Sequence, residues 1–168
     1  MAEGTLKELL ATVPQEGELT WIGLRPARGA PVEVRTEAEL VAHHGLEGDR
    51  YRGRKGGAGK RQVSLVQAEH LPLLAAWTGH DAVDPAWLRR NLVVRGINLV
   101  ALKAHRFRIG DAVLEGAGPC EPCSKMLDAL GAGGFAAMRG HGGIVARVVL
   151  GGRIRVYDPV RSLGPRPA

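Results

Sequence analysis

The sequence predicts a mostly β fold, a β-barrel with short peripheral α-helices. Three observations lead there. The 168 residues include 24 Gly and 10 Pro, more punctuation than a helix bundle tolerates. Short apolar segments suited to strands recur along the chain, against only three or four short helical patterns. These strands do not alternate with long helices, and neither a G-x-G-x-x-G after a strand nor a Walker loop is present. A doubly wound or Rossmann fold is therefore disfavoured. The length suits one domain, residues 1–168, with its core at about 17–157.

The elements follow in order. Thr5-Leu6-Lys7-Glu8 is a capping-box pattern, and LKELLATV reads as a first helix. GELTWIGL, Gly17 to Leu24, reads as a strand, Pro26 to Pro31 as a turn, and Val32 to Val34 as a short strand. Thr36-x-x-Glu39 is a second capping box, predicting a brief helix to about Ala42. His43 to Lys60 holds six glycines and is rich in Arg and Lys, which predicts a loop. On composition a solvated loop is favoured over an anion-binding rim.

Gln62 to Val66 reads as a strand and Gln67 to Thr78 as a helix, with Pro72 marking a kink or a late start. Asp84-Pro85 suits an N-cap and first helical position, opening one turn that runs into a strand at Leu92 to Arg95. Gly96 turns. Phe107 to Ile109 and Ala112 to Glu115 flank Gly110-Asp111 as a hairpin. Ser124 to Leu130 reads as a short helix, and Gly131 to Gly143 as irregular. Val145 to Leu150 and Arg153 to Tyr157 are expected to pair across Gly151-Gly152. The tail RSLGPRPA is expected to fray.

Hydrophobic residues make up 45% of the chain, which argues against disorder. No apolar run approaches the roughly 18 residues of a membrane span. MAEGTLKELLATVPQEGE lacks the apolar stretch of a signal peptide, so a cytoplasmic location is expected. The net charge is +6, and 18 of the 23 basic residues are Arg, the better fork for phosphate and carboxylate. Nucleic acid, a phosphorylated small ligand and an Arg-rich genome each account for that balance. Aromatics are only 4% and no basic stripe is interleaved with them, which disfavours nucleic acid.

Chemistry concentrates in Gly118-Pro119-Cys120-Glu121-Pro122-Cys123-Ser124-Lys125-Met126. Pro122 suits the first position of a helix, which would put Cys123 in the first turn, where amides and dipole favour a thiolate. Such a thiolate serves as nucleophile, redox partner or soft-metal ligand. Zinc needs four ligands and only two Cys are present. A thioredoxin-like dithiol needs a βαβ context that is missing. Two buried structural cysteines remain the plain alternative, since compartment disfavours a disulfide. Leu88-Arg89-Arg90-Asn91 places two guanidiniums and an amide where a helical turn enters a strand; by itself it reads as a solvated basic turn. In Gly48-Asp49-Arg50-Tyr51, Asp49 either buttresses Arg50 or serves the turn.

Taken together, EGDRY, RQVSLVQAEHL, LRRNLVVRGINL, FRIGDAVLEGAGPCEPCSKM and GGIVARVVLGGRI resemble, in order and spacing, the MOSC domain, named for the C-terminal region of molybdenum cofactor sulfurases. The resemblance spans about Gly17 to Tyr157. It implies a barrel similar to the inserted barrel domain of pyruvate kinase, and binding of the molybdenum cofactor, molybdopterin. It implies Cys123 as catalytic residue and as metal or sulfur ligand, with Arg50, Arg89, Asn91 and Arg147 as cofactor-binding residues. Cys120 stands where many relatives carry Arg, and Tyr51 where His is frequent. Tyr157-Asp158 replaces a commoner Gly-Asp, expected to be structural.

Two activities are compatible with that resemblance. One is a molybdenum oxidoreductase that reduces N-hydroxylated compounds with electrons from a separate flavin or iron–sulfur protein. The other is a non-enzymatic carrier of sulfur or cofactor, with a persulfide on Cys123 and a sulfurase as partner. Pyridoxal phosphate is not expected, because that chemistry belongs to a separate domain of full sulfurases.

Overall fold

The computed structural model describes residues 4–51 and 59–168. Helix α1 (Leu6–Ala11) precedes strands β1 (Glu16–Leu24), β2 (Glu33–Arg35), β3 (Glu37–Val41), β4 (Gly45–Leu46) and β5 (Val63–Gln67). Helices α2 (His70–Thr78) and α3 (Pro85–Leu88) lead to β6 (Leu92–Arg95). A 3-10 turn at Leu99–Leu102 leads to β7 (His105–Ile109) and β8 (Ala112–Pro119). Helices α4 (Lys125–Leu130) and α5 (Gly134–Met138) precede β9 (Ile144–Leu150), β10 (Gly152–Arg155) and β11 (Pro159–Pro165).

Seven strands form a closed barrel in the order β11-β7-β8-β9-β5-β6-β1, with β1 pairing back onto β11; β2 extends from β1. Only β5 and β6 run parallel within this ring. A parallel pair needs a long crossover, and here the crossover carries α2 and α3. Strands β10, β3 and β4 form a separate small sheet.

Two cores result from period-two alternation. Leu65, Leu92 and Val94 point into the barrel with Leu19, Ile22, Phe107 and Leu114. Their neighbours Val66 and Val93 point outward into a second cluster with Leu74, Leu88, Met126, Leu130 and Met138. Each fully buried aliphatic side chain contributes roughly 1.5–3 kcal/mol. The second core fixes α2 to α5 against one flank of the barrel.

Several local expectations hold. The Thr5 side chain and Glu8 form the reciprocal capping box. The Asp84 side chain accepts from the Ala86 amide, with Pro85 at the first helical position. Helix α2 starts late, so Pro72 lies in its first turn.

Others are corrected. Thr36-x-x-Glu39 does not open a helix: Glu37 and Glu39 face out while Leu40 is buried. That alternation pairs β3 with β10, reinforced by Arg153–Glu39 at 2.9 Å and Arg155–Glu37 at 3.3 Å. The expected hairpin between Val145 to Leu150 and Arg153 to Tyr157 does not form. Strand β9 is already bonded on both sides, by β5 and β8, so the chain after Gly151 leaves for β3. Nor does the tail fray: β11 pairs with both β7 and β1 and closes the barrel, so the core extends past Tyr157. Gly131 to Gly143 contains α5, and Gly45–Leu46 within the expected loop pairs with β3. Residues 52–58 of that loop lie outside the described residues. Tyr157-Asp158 is structural: Leu19 and the Tyr157-Asp158 backbone exchange two hydrogen bonds, and Asp158 Oδ2 accepts from the Arg155 amide at 2.7 Å.

Candidate functional site

At one rim of the barrel the end of β1, the starts of β5, β6 and β9 and the end of β8 converge. Here a cleft of about 270 Å³ is lined by Arg25, Arg50, Arg61, Arg89, Arg90 and Lys125, together with both thiols, Glu121, Tyr51, Ser64 and a few apolar side chains. Six cations thus face one carboxylate among the described lining residues.

The thiols arrive on the segment between β8 and α4. Cys120 is buried and Cys123 exposed, and both are free. The Cys120 amide donates to the Gly143 carbonyl at 2.9 Å. Helix α4 starts at Lys125 behind an N-cap at Ser124, so Pro122 and Cys123 precede the helix rather than sit in its first turn. Pro122 biases Glu121 to extended backbone, and the Cys123 carbonyl accepts from the Met126 amide at 2.9 Å in the turn that leads into α4. Placement at the cleft, not the helix terminus, gives Cys123 its surroundings.

Arg89 and Arg90 follow α3. Arg89 takes a left-handed backbone, φ 55°, uncommon for a residue with a side chain, and its Nη1 donates to the Ala30 carbonyl at 3.1 Å. Arg90 is buried; its Nε donates to the Gly142 carbonyl and its Nη1 to the Leu88 carbonyl, each at 3.0 Å. Its Nη2 is buried without a partner among the described residues. Burial pulls the Arg90 guanidinium below its usual range, while negative charge at Cys120 and Cys123 would push it back up. A buried guanidinium donor lacking an acceptor is costly, and an anion in the cleft would satisfy it.

The Gly142-Gly143 pair makes this possible. A Cβ on Gly142 would meet the Cys120 carbonyl, and one on Gly143, with φ +86°, would meet the Leu65 carbonyl. Only glycine allows both carbonyls to reach Arg90 and Cys120.

Behind the cleft, Asn91 is fully buried. Its Oδ1 accepts from the Ser64 amide and hydroxyl at 3.1 and 3.2 Å, and its Nδ2 donates to Gly23 O and Asp49 Oδ1, both at 3.2 Å. Asp49 in turn holds Arg25, Nη2 to Oδ2 at 2.9 Å. Burial raises the Asp49 carboxyl, but the hydrogen bonds and charge of Arg25 outweigh it and hold the group below its ordinary range. Asp49 therefore buttresses Arg25, not Arg50.

Of the residues singled out by sequence, the fold brings Cys123, Arg50 and Arg89 to one cleft. Asn91 stands behind it with its amide already committed. Arg147 lies off the cleft lining, donating to Glu115 Oε1 at 2.6 Å across β8 and β9. Arg90 and Lys125, which lie in the two singled-out segments without a cofactor role assigned to them, also line the cleft. Arg25 and Arg61 were missed, because nothing local marks them.

The chain matches the family model for the MOSC domain over residues 43–161. The protein belongs to the MOSC domain family. The YuaD protein from Bacillus subtilis has a similar structure, at 21% identity and a TM-score of 0.77, covering 89% of this chain and 97% of its own. YiiM from Escherichia coli is similar at 20% identity and a TM-score of 0.66, over 90% of this chain and 72% of its own. YiiM from Geobacillus stearothermophilus follows at 15% identity and a TM-score of 0.68, over 88% and 75%. At these identities the likeness is one of fold. No curated protein matches the sequence. This MOSC chain has no helix, among its described residues, long and apolar enough to cross a membrane.

The donor set fits the cofactor associated with the family. Molybdopterin carries a phosphate and sulfur ligands, so it asks the protein for anion donors and at most one soft ligand. The cleft offers guanidiniums, the unpartnered Arg90 Nη2 and an exposed thiol. Among the described residues no group of three or more His, Cys, Asp or Glu could hold a metal alone, and a metal that arrives with its own sulfur ligands needs none.

Proposed function

We propose that this MOSC protein binds the molybdenum cofactor in the rim cleft, with Cys123 as its protein ligand, and reduces N-hydroxylated compounds with electrons from a separate flavin or iron–sulfur protein. The observation that supports this most is the pairing of an exposed thiol with six surrounding cations, one of them carrying a buried donor without acceptor. When bound, the cofactor supplies a two-electron redox centre.

The chain's residues do the rest. Cys123 offers a soft sulfur donor. Arg50, Arg61 and Arg89 fork onto the terminal phosphate, which carries about two negative charges. Arg90 gives Nη2 to an acceptor in the cleft while its other nitrogens stay fixed to Gly142 and Leu88. Asn91 and Asp49 position rather than bind: they hold Arg25 and the start of β5 in place.

Expression in a host that makes the cofactor tests this. Purified wild type should contain molybdenum and yield a fluorescent pterin on oxidation, and should reduce an N-hydroxylated base with a supplied donor. Cys123→Ala should lose metal and turnover while keeping its melting temperature, since the thiol is exposed. Absence of metal and pterin from the wild type, or full reduction by Cys123→Ala, overturns the proposal. Bound pterin without turnover leaves the carrier, which passes sulfur or cofactor from Cys123.

A further inference from the structure

Cofactor binding engages Cys123 and leaves a second thiol in the same cleft without a task. Cys120 and Cys123 are three residues apart, both are free, and both line the rim cleft. Their exposure differs: Cys123 faces solvent, whereas Cys120 is only 6% exposed. Strand β8 ends at Pro119 and α4 starts at Lys125, so a bridge between the two sulfurs would span irregular backbone rather than a helix or a strand ladder.

An outer thiol with an inner one close by is the arrangement of a redox-active pair: the exposed sulfur meets the oxidant and the sheltered sulfur resolves the product. Arg90 links the two positions. Negative charge on either sulfur acts on its guanidinium, and its Nη2 is buried without an acceptor among the described residues. A Cβ on Gly142 would meet both the Cys120 carbonyl and this Nη2, which puts the unpaired donor beside the Cys120 backbone. Such a donor suits an oxygen carried into the cleft, on a peroxide or on an oxidised sulfur.

We propose that Cys120 is the resolving thiol of Cys123: in the cofactor-free protein a peroxide oxidises Cys123, and the two cysteines then close a reversible intramolecular disulfide. In the first step the Cys123 thiolate attacks hydrogen peroxide. The O–O bond breaks, an S–O bond forms, hydroxide leaves, and the sulfur gives up two electrons to become a sulfenic acid. In the second step Cys120 attacks the Cys123 sulfur. The S–O bond breaks, the S–S bond forms, and water leaves with the Cys120 proton. An external dithiol reduces the bridge and returns both thiols. The bridge stops the exposed sulfur short of sulfinic acid, the stage from which reduction ordinarily fails. It also withdraws Cys123 from ligation; that consequence rests on the proposed function, and the disulfide chemistry does not.

Hydrogen peroxide is the probe, added to the full-length, cofactor-free protein after removal of reductant, with thiols then alkylated and peptides weighed. Wild type should lose both alkylatable thiols together, as a monomer, and its peptide holding Cys120 and Cys123 should lack two hydrogens. Dithiothreitol should restore both thiols. Cys120→Ser should instead carry Cys123 on to sulfinic acid, which dithiothreitol does not reverse. Cys123→Ser should leave the sheltered Cys120 alkylatable after denaturation at the same dose. A disulfide between two molecules, a Cys120 that stays alkylatable in oxidised wild type, or a Cys120→Ser protein as reversible as wild type overturns the proposal. If Cys120→Ser fails to fold, the wild-type peptide mass decides. Oxidised wild type should take up molybdopterin at least tenfold less than the reduced protein; equal uptake by a bridged protein supports the disulfide and removes Cys123 as the cofactor ligand.

Discussion

Asn91 and Arg90 are neighbours with opposite economies. Every polar atom of the Asn91 side chain is paired inside the protein, whereas Arg90 keeps Nη2 unpartnered. Their substitutions should therefore separate. Asn91→Ala takes the acceptor from the Ser64 amide and the donor from the Gly23 carbonyl, while Asp49 keeps Arg25, and should cost about 3 kcal/mol in urea denaturation, with cofactor loss only as a consequence of unfolding. Arg90→Met should cost about 1–3 kcal/mol through the Gly142 and Leu88 carbonyls. It should also lower pterin content at least tenfold in protein that is still folded. Equal pterin retention in folded Arg90→Met would remove Arg90 from the binding set.

At the scale of elements, two short pieces of chain decide whether the site exists. Gly142-Gly143 lets the backbone pass against Leu65 and Cys120. Gly143→Ala meets both a positive φ and a backbone carbonyl, so it should destabilise by about 3 kcal/mol or more, measured by thermal melting. It should also loosen Cys120, whose amide bonds to Gly143. Strand β11 is the second piece. Removing residues 159–168 takes a partner from β1 and from β7 at once and exposes two strand edges. The truncated chain is expected to lose its cooperative melt and to aggregate. A soluble truncation with an unchanged melt would contradict the closed ring.

The whole molecule carries its electrostatics unevenly, and this sets its pH response. Burial, then repulsion from His141, lowers the His70 imidazole below its ordinary 6.5, and the two rings meet edge-on at 4.8 Å. The unfolded chain binds that proton first, so stability is complete above about pH 6.5 and declines below it. Asp49 gives a second limb. Its folded value is also depressed, from 3.8, so its contribution holds above about pH 4 and is lost as pH falls through the lowered value. Urea midpoints measured from pH 8 to 3 should therefore fall in two stages. His141→Ala should flatten the upper stage and leave the lower one. A single acid limb in wild type would remove the His70 contribution.

The sequence by itself determined the class of fold, most strand positions and the residues of three site segments. Alternation, turn glycines and N-caps are local, and each acts through its nearest neighbours along the chain. It misjudged Thr36 to Val41 because a capping box and a strand edge compete there, and the strand wins through β10, 114 residues away in the Arg153–Glu39 contact. It misjudged Pro159 to Pro165 because a tail becomes a strand only when a barrel needs closing. Tertiary structure alone decided which arginines face the thiols, turned Asp49 toward Arg25, and left Arg147 paired with Glu115 away from the cleft. The physical reason is common to all of these: burial and ion pairing depend on strands from distant parts of the chain meeting at one rim, and no local pattern encodes that meeting.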